Sequence, residues 1–393
     1  MDTAMKRHRD TWLAIVVLST TAGVPAFGQS KPDASSKIVA ALQPFVESHA
    51  LAGAVTLVAD KDKVLAVDTV GFADVEAKSL MRPDTLFWIA SQSKPITATA
   101  LMILVDEGKV KLDDPIAKYL PEFLDQSVVV FKDKDTTLLK RASRPVTVRD
   151  ILSHTSGMAF SSAMETPTLD GLSLRDAVRS YAMSPLQSEP GVKYQYSNEG
   201  INTAGRIIEV VSGMPFETFL DKRLLEPLGM KDTTFRPSEV QLARLAKPYK
   251  PNAGKDNLEP TTISQLTYPL SDRKRQPMPA GGLFSTADDI SKFCRMLLNK
   301  GTFEGRRLVS ESAVAEMTKK QTAESIKDGY GLGFSTGGGS FGHGGALATN
   351  MTIDTKRGLI TVFLVQHAGF PKDGDKSQGE FRKAAEQVYG GSK

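Results

Sequence analysis

The chain has 393 residues, 40% of them hydrophobic and 24% charged, enough apolar material for a large packed core and too much for a disordered chain. Above about 250–300 residues a single core tends to split into lobes. A formal net charge of +4 is small and dispersed, and the single cysteine, Cys294, excludes an internal disulfide, zinc ribbons, iron–sulfur clusters and CxxC redox chemistry.

Lys6, Arg7 and Arg9 precede an apolar run from Trp12 to Leu18, and small residues continue to Ala26. Ala26 and Gly28 then stand at the −3 and −1 positions of a cleavage site before Gln29. This three-part pattern is a secretory signal peptide over residues 1–28, so a periplasmic or secreted protein is expected. The apolar run is too short to span a bilayer, and no cysteine follows it to carry a lipid. No stable membrane anchor is therefore expected after cleavage.

Ile38 to Val46 reads as an amphipathic helix. GAVTLVAD (53–60) and KVLAVDTVGFAD (63–74) read as a hairpin turning at Lys61-Asp62. A helix is expected from Ser91 to Val110, and a charged surface hairpin over 123–146. Helical patterns fill 147–230, and a Pro-, Asn- and Gly-rich loop covers 247–282. TADDISKFCRMLLNKG and SESAVAEMTKK return to helix, with Cys294 on the buried face of the first. YGLGFST (330–336), LATNMTIDT (347–355) and GLITVFLVQHAG (358–369) read as strands, and 378–389 as a last helix. The expected fold class is α+β. An antiparallel sheet flanked by helices, from about 33–90 and 285–393, encloses a mostly helical lobe at about 91–284, and the site lies in the cleft between them.

Three patterns carry chemistry. The first is Ser91-Gln-Ser-Lys94. Residues i and i+3 share a helix face, so the Lys94 amine can take the Ser91 proton if burial lowers its pKa. The Ser91 N–H, free in a first helical turn, can face an oxyanion. A second S-x-x-K, Ser271 to Lys274, lies in the polar stretch SDRKRQP with no helix to align it. The second pattern is Tyr196-Ser197-Asn198. A phenol can relay a proton and an amide can hold a substrate carbonyl; alternatively Asn198 caps the next helix. The third is His343-Gly344-Gly345, read as leading into a strand, with the Ala346 N–H as a second oxyanion donor. His367-Ala-Gly369 matches the same loose pattern without a glycine-rich approach. GGGSFGHGG lacks the Gly-Lys-Ser/Thr of a phosphate loop, and no G-x-S-x-G elbow occurs. No cofactor and no metal are expected, and no basic–aromatic block points to nucleic acid.

S-x-x-K, Y-x-N and H-G-G in this order resemble the penicillin-recognising serine hydrolases: class C β-lactamases, D-alanyl-D-alanine carboxypeptidases, D-aminopeptidases and related carboxylesterases. FWIASQSKPITA, EGKVKLDDPIAKYLPEF, PVTVRDILSHTSGM, YQYSNEGINTAGRIIEVVSG, PAGGLFSTADDISKF and YGLGF match that family in the same order. The resemblance covers about residues 37–390 and implies a β-lactamase/DD-peptidase-like fold. It makes Ser91 the acylated nucleophile, Lys94 its base or proton shuttle and Tyr196 a general base. Asn198 and His343 to Gly345 become substrate-binding, and Ser91 and Ala346 supply the oxyanion hole. It leaves the working proton on Lys94 or Tyr196, because coupled groups titrate as a set. His154 in SHTSG becomes a structural loop residue.

One departure bears on substrate. The family's β-lactamases and carboxypeptidases usually carry Lys-Thr-Gly or His-Thr-Gly, whose hydroxyl holds a substrate carboxylate. Gly344 removes that hydroxyl, and a histidine is mostly neutral near pH 7. The carboxylesterase branch has Trp-Gly-Gly. The expected substrates are therefore small esters, amides or short peptides without an essential carboxylate. A β-lactamase or D-alanyl peptidase would need another hydroxyl there, such as Thr349. A non-catalytic binder of cell-wall fragments would be expected to lack one of Ser91, Lys94 and Tyr196.

Overall fold

Strand Gly53–Ala59 is apolar at every position but Thr56, the composition of a strand buried on both faces, and all seven of its residues are buried. Val55, Leu57 and Ala59 face one core, and Ala54 and Val58 the other. The computed structural model describes residues 32–390 apart from 325, 327 and 328, so the expected signal segment lies outside the described residues.

The strand is fifth in a seven-stranded antiparallel sheet ordered Ser335–Gly337, Ser340–Gly344, Asn350–Asp354, Leu359–Leu364, Gly53–Ala59, Val64–Asp74, Ser79–Leu80. Both ends of the sequence thus build one sheet. The first hairpin turns where expected: Asp60 Oδ1 accepts the N–H groups of Asp62 and Lys63 at 2.7 and 2.8 Å. Helices Pro32–Glu47 and Ser377–Tyr389 cover one face. The other face packs on helix Ala287–Leu298, which carries buried Cys294, and on the helical layer that includes Ser93–Asp106 and Asn198–Ser212. One apolar core runs from the sheet into that layer.

Two strand expectations are corrected. Of YGLGFST only Ser335 and Thr336 join the sheet, in strand Ser335–Gly337. Gly333 sits at φ +81°, and a Cβ there would lie 2.6 Å from Ala98 Cβ. The glycine therefore lets this turn close onto helix Ser93–Asp106 instead of continuing as a strand. His343-Gly344 ends strand Ser340–Gly344 rather than preceding one. Gly338 and Gly339, at φ +63° and +91°, form the two-residue turn that makes GGGSFGHG a hairpin.

The surface hairpin is present as Ser127–Lys132 with Thr137–Arg141. The 247–282 stretch pairs only briefly, Tyr249–Pro251 with Leu258–Pro260. Its Ile263, Leu266, Leu270 and Met278 are buried against Leu86, Trp88 and Phe284. A buried ion pair, Arg275 Nε to Asp170 Oδ2 at 2.7 Å, pins it. Asp170 Oδ1 also accepts the Thr267 N–H and hydroxyl, which is how a buried carboxylate stays satisfied.

Candidate active site

The chain enters the site from strand Phe87–Trp88, paired with Phe284–Ser285. Ala90 then takes φ +46°, a region that residues with a Cβ avoid, so the turn is held by its surroundings. The Gln92 N–H donates to Ile89 O at 3.0 Å, the Ser93 hydroxyl to Ala90 O at 2.7 Å, and the Leu283 N–H to Ser93 Oγ at 3.2 Å. Ser91 lies in the resulting 3₁₀ turn, Ala90–Gln92, which runs into helix Ser93–Asp106. The helix is shorter at both ends than the 91–110 expected.

Lys94 is fully buried one turn on. Its Nζ lies 2.7 Å from Asn198 Oδ1, 2.8 Å from Ala280 O and 3.1 Å from Ser91 Oγ. Burial pushes the amine well below the ordinary lysine range. A neutral amine has two N–H bonds and one lone pair. In that form Asn198 and Ala280 take the two N–H bonds, which leaves the lone pair for the Ser91 hydroxyl. The Tyr196 ring centroid stands 4.7 Å from Nζ. Burial raises the Tyr196 phenol above its usual range, with its hydrogen bond to Ser91 working the other way. Tyr196 therefore rests protonated.

The Y-x-N turn is fixed by its helix. Ser197, the N-cap of Asn198–Ser212, accepts the Gly200 N–H at 3.0 Å, and its hydroxyl donates to Ala159 O at 2.5 Å. The Asn198 N–H donates to Phe160 O at 3.0 Å. Asn198 is thus the first residue of the helix, and its amide is spent on Lys94 rather than on a cap. The Phe160 ring, 46% exposed, stacks 6.4 Å from the Tyr196 ring.

Across the site, the Gly345 N–H donates to Thr349 O at 2.7 Å. A Cβ on Gly345 would lie 2.5 Å from Ile89 O, so this glycine lets the strand end close against the Ser91 turn. Ala346 follows, exposed. A Cβ on Gly344 would meet nothing nearer than Thr349 O at 3.6 Å.

His343 lies on strand Ser340–Gly344 past its last pairing with Ser335–Gly337, but its imidazole is buried. Its side chain is turned inward, with Nε2 2.9 Å from Tyr330 Oη and Nδ1 2.7 Å from Gly344 O. Burial lowers it to about 3, so it is neutral. Thr349 is not a substitute hydroxyl: it is buried and donates to Ile89 O at 3.4 Å.

The structure therefore brings Ser91, Lys94, Tyr196 and Asn198 together, sets Gly345 against the Ser91 turn and removes the His343 imidazole from the cleft. Ser271 and Lys274 are both exposed on the polar segment. His367 is buried, accepts the Ala52 N–H at 3.1 Å and stacks on Phe370. His154, at φ +59°, lies with its ring 4.5 Å from that of Tyr196. Two participants had no role in the sequence reading. The Ala280 carbonyl comes from P-A-G-G and Tyr330 from Y-G-L-G-F, and the glycines of those motifs were the available signal.

A family model described as Beta-lactamase matches residues 38–385. The chain belongs to the β-lactamase family. Protein Rv1367c of Mycobacterium tuberculosis is 32% identical over 363 residues, covering 84% of this chain and 89% of that protein. Esterase EstB of Burkholderia gladioli is 28% identical over 381 residues, covering 87% and 93%. The solved structure of EstCE1, described as a hydrolase with promiscuous acyltransferase activity, superposes with a TM-score of 0.76 at 23% identity. It covers 89% of this chain and 98% of its own, and supports the fold.

Proposed function

We propose that this family member is an exported serine hydrolase that cleaves esters or amides through an acyl-enzyme on Ser91. The observation that carries this reading is the Lys94 amine, buried, with two acceptors on its N–H bonds and Ser91 Oγ at 3.1 Å. Lys94 takes the Ser91 proton as Oγ attacks the substrate carbonyl. The oxyanion forms between the N–H groups of Ser91 and Ala346. Tyr196, hydrogen-bonded to Ser91 and itself protonated, passes a proton to the leaving group and regains one from Lys94. Water then attacks the acyl carbonyl by the reverse relay, and Ser91 is released.

Three features favour substrates without an essential carboxylate. Gly344 offers no hydroxyl, His343 is inward and neutral, and Thr349 is covered. The exposed Phe160 ring beside Tyr196 suits an apolar acyl or alkoxy group. The likeness to an esterase over most of the chain supports the same choice.

The test is the initial rate on p-nitrophenyl butyrate and on a chromogenic cephalosporin, wild type beside Ser91→Ala. Ester turnover lost in the mutant is the expected result. Full activity in Ser91→Ala would remove the nucleophile assignment. Cephalosporin turnover would move the protein to the β-lactamase branch. Export rests on Lys6, Arg7, Arg9 and the apolar run after them; N-terminal sequencing of protein recovered outside the cytoplasm is expected to begin near Gln29.

A further inference from the structure

Four hydrogen bonds form one line behind the cleft. The Ser197 N–H donates to His154 Nδ1 at 3.2 Å. His154 Nε2 lies 3.1 Å from Tyr330 Oη, Tyr330 Oη lies 2.9 Å from His343 Nε2, and His343 Nδ1 lies 2.7 Å from Gly344 O. His154, Tyr330 and His343 are 0%, 2% and 6% exposed, so water does not compete for these bonds.

The two ends of the line fix its direction independently. At one end a backbone N–H can only donate, so His154 Nδ1 accepts and a neutral His154 carries its proton on Nε2. That proton goes to Tyr330 Oη. At the other end a carbonyl oxygen can only accept, so His343 carries its proton on Nδ1 and accepts at Nε2. Both ends independently send the single Tyr330 proton to His343. Neither imidazole has a partner for a second proton in this arrangement. Burial pushes both below the ordinary histidine range.

We propose that Tyr330 is a positioning residue that, with His154 and His343 held neutral in opposite tautomers, ties the turn carrying Tyr196 and Asn198 to the strand end carrying Ala346. Ser197, at one end of the line, lies between the proton relay and the lysine's amide partner. Gly344, at the other end, lies two residues before the Ala346 oxyanion donor. The line thus sets the distance between the group that moves a proton and the group that receives developing charge. Misplacement of about 1 Å can cost roughly 100-fold in rate. The tyrosine also leaves no net charge beside Tyr196, whose ring centroid is 4.5 Å from that of His154 and 6.1 Å from that of His343. The consequence for rate rests on the hydrolase reading; the tautomers do not.

The experiment is ¹⁵N-histidine NMR on the full chain, with signals assigned through His154→Gln and His343→Gln, beside the kinetics of Tyr330→Phe. His154 is expected as the Nε2–H tautomer and His343 as the Nδ1–H tautomer, with neither titrating between roughly pH 8 and pH 5. An Nε2–H tautomer for His343, or a titration of either near ~6.5, would overturn the line. For Tyr330→Phe on p-nitrophenyl butyrate, kcat is expected to fall about 10- to 100-fold with KM within about threefold, while His343 becomes a mixture of tautomers. An unchanged kcat in that folded variant would overturn the positioning role. If Tyr330→Phe does not fold, the wild-type tautomers still decide. If Ser91→Ala stays fully active, the hydrolase reading fails while the tautomers stand or fall by their own spectrum.

Discussion

Lys94 and His343 are both nitrogen bases buried beside the same cleft, and burial pushes both towards their neutral forms. Their surroundings differ in one respect. The lone pair of Lys94 is left facing Ser91 Oγ, because Asn198 and Ala280 occupy its N–H bonds. The lone pair of His343 faces a tyrosine proton, and its one N–H is spent on Gly344 O. A depressed pKa therefore does not by itself make a catalytic base. Where the remaining lone pair points decides whether the base reaches a substrate or serves as an internal strut.

The sharpest way to break this contrast is to remove each base in turn. Lys94→Ala should lower kcat/KM by roughly 10²- to 10⁴-fold, the usual worth of a positioned proton acceptor. A loss under tenfold would contradict its proton-transfer role. The pH profile separates the two bases further. Activity should rise with pH as Lys94 loses its proton, below the ordinary lysine range. His343, already neutral above about 3, should add no inflection near its usual value. His343→Gln should therefore leave the acid limb of kcat/KM where it is, and a displaced limb would show that the imidazole titrates within the cycle.

A smaller effect tests the other consequence of an inward His343, the missing carboxylate receptor. Gly344→Thr puts a hydroxyl where a Cβ meets only ordinary contacts, 3.6 Å from Thr349 O and 3.7 Å from Asn350 Nδ2. A hydrogen bond to a charged group is worth about 1.5–3 kcal/mol. The ratio of kcat/KM for a carboxylate-bearing substrate to that for a simple ester should rise about tenfold or more. An unchanged ratio would show that the residue at 344 does not set this preference.

The two bases also differ in how visible they were in the sequence. Ser91 and Lys94 are three residues apart where a 3₁₀ turn runs into a helix, and the i, i+3 spacing alone places their side chains together. The sheet was legible for a similar reason: strands such as Gly53–Ala59 and Leu359–Leu364 carry their burial in a run of apolar residues. His343 was legible as a position but not as a direction. A strand residue can face either side, and a one-residue change in register reverses it. The run GGGSFGHGG read as a flexible approach, whereas Gly338 and Gly339 make it a hairpin that fixes the register. The Ala280 carbonyl was hidden for a different reason, since a backbone oxygen leaves no mark on residue type. Tyr330 owes its place to Gly333, which lets the turn reach the Ala98 side of the helix, a contact between distant parts of the chain.

The smallest expected effect is on stability, and its sign follows from the buried neutral state of His343. In the unfolded chain a histidine binds its proton near ~6.5, whereas folded His343 does so only at about 3. As pH falls below ~6.5 the unfolded state gains a proton that the folded state does not, so this histidine's contribution is present above ~6.5 and is lost as pH falls towards 3. The net curve also contains Glu199, which burial raises to about 7 and whose effect in the same window has the opposite sign. The informative quantity is therefore the difference between wild type and His343→Gln in urea unfolding at pH 7 and pH 5. From ~6.5 to 5 the wild type should lose up to about 2 kcal/mol more than the variant, at ~1.4 kcal/mol per pH unit. Parallel loss in the two proteins would mean that His343 takes up its proton in the folded state too. The lone pair facing the Tyr330 hydroxyl would then be open to a proton, and the contrast with Lys94 would disappear.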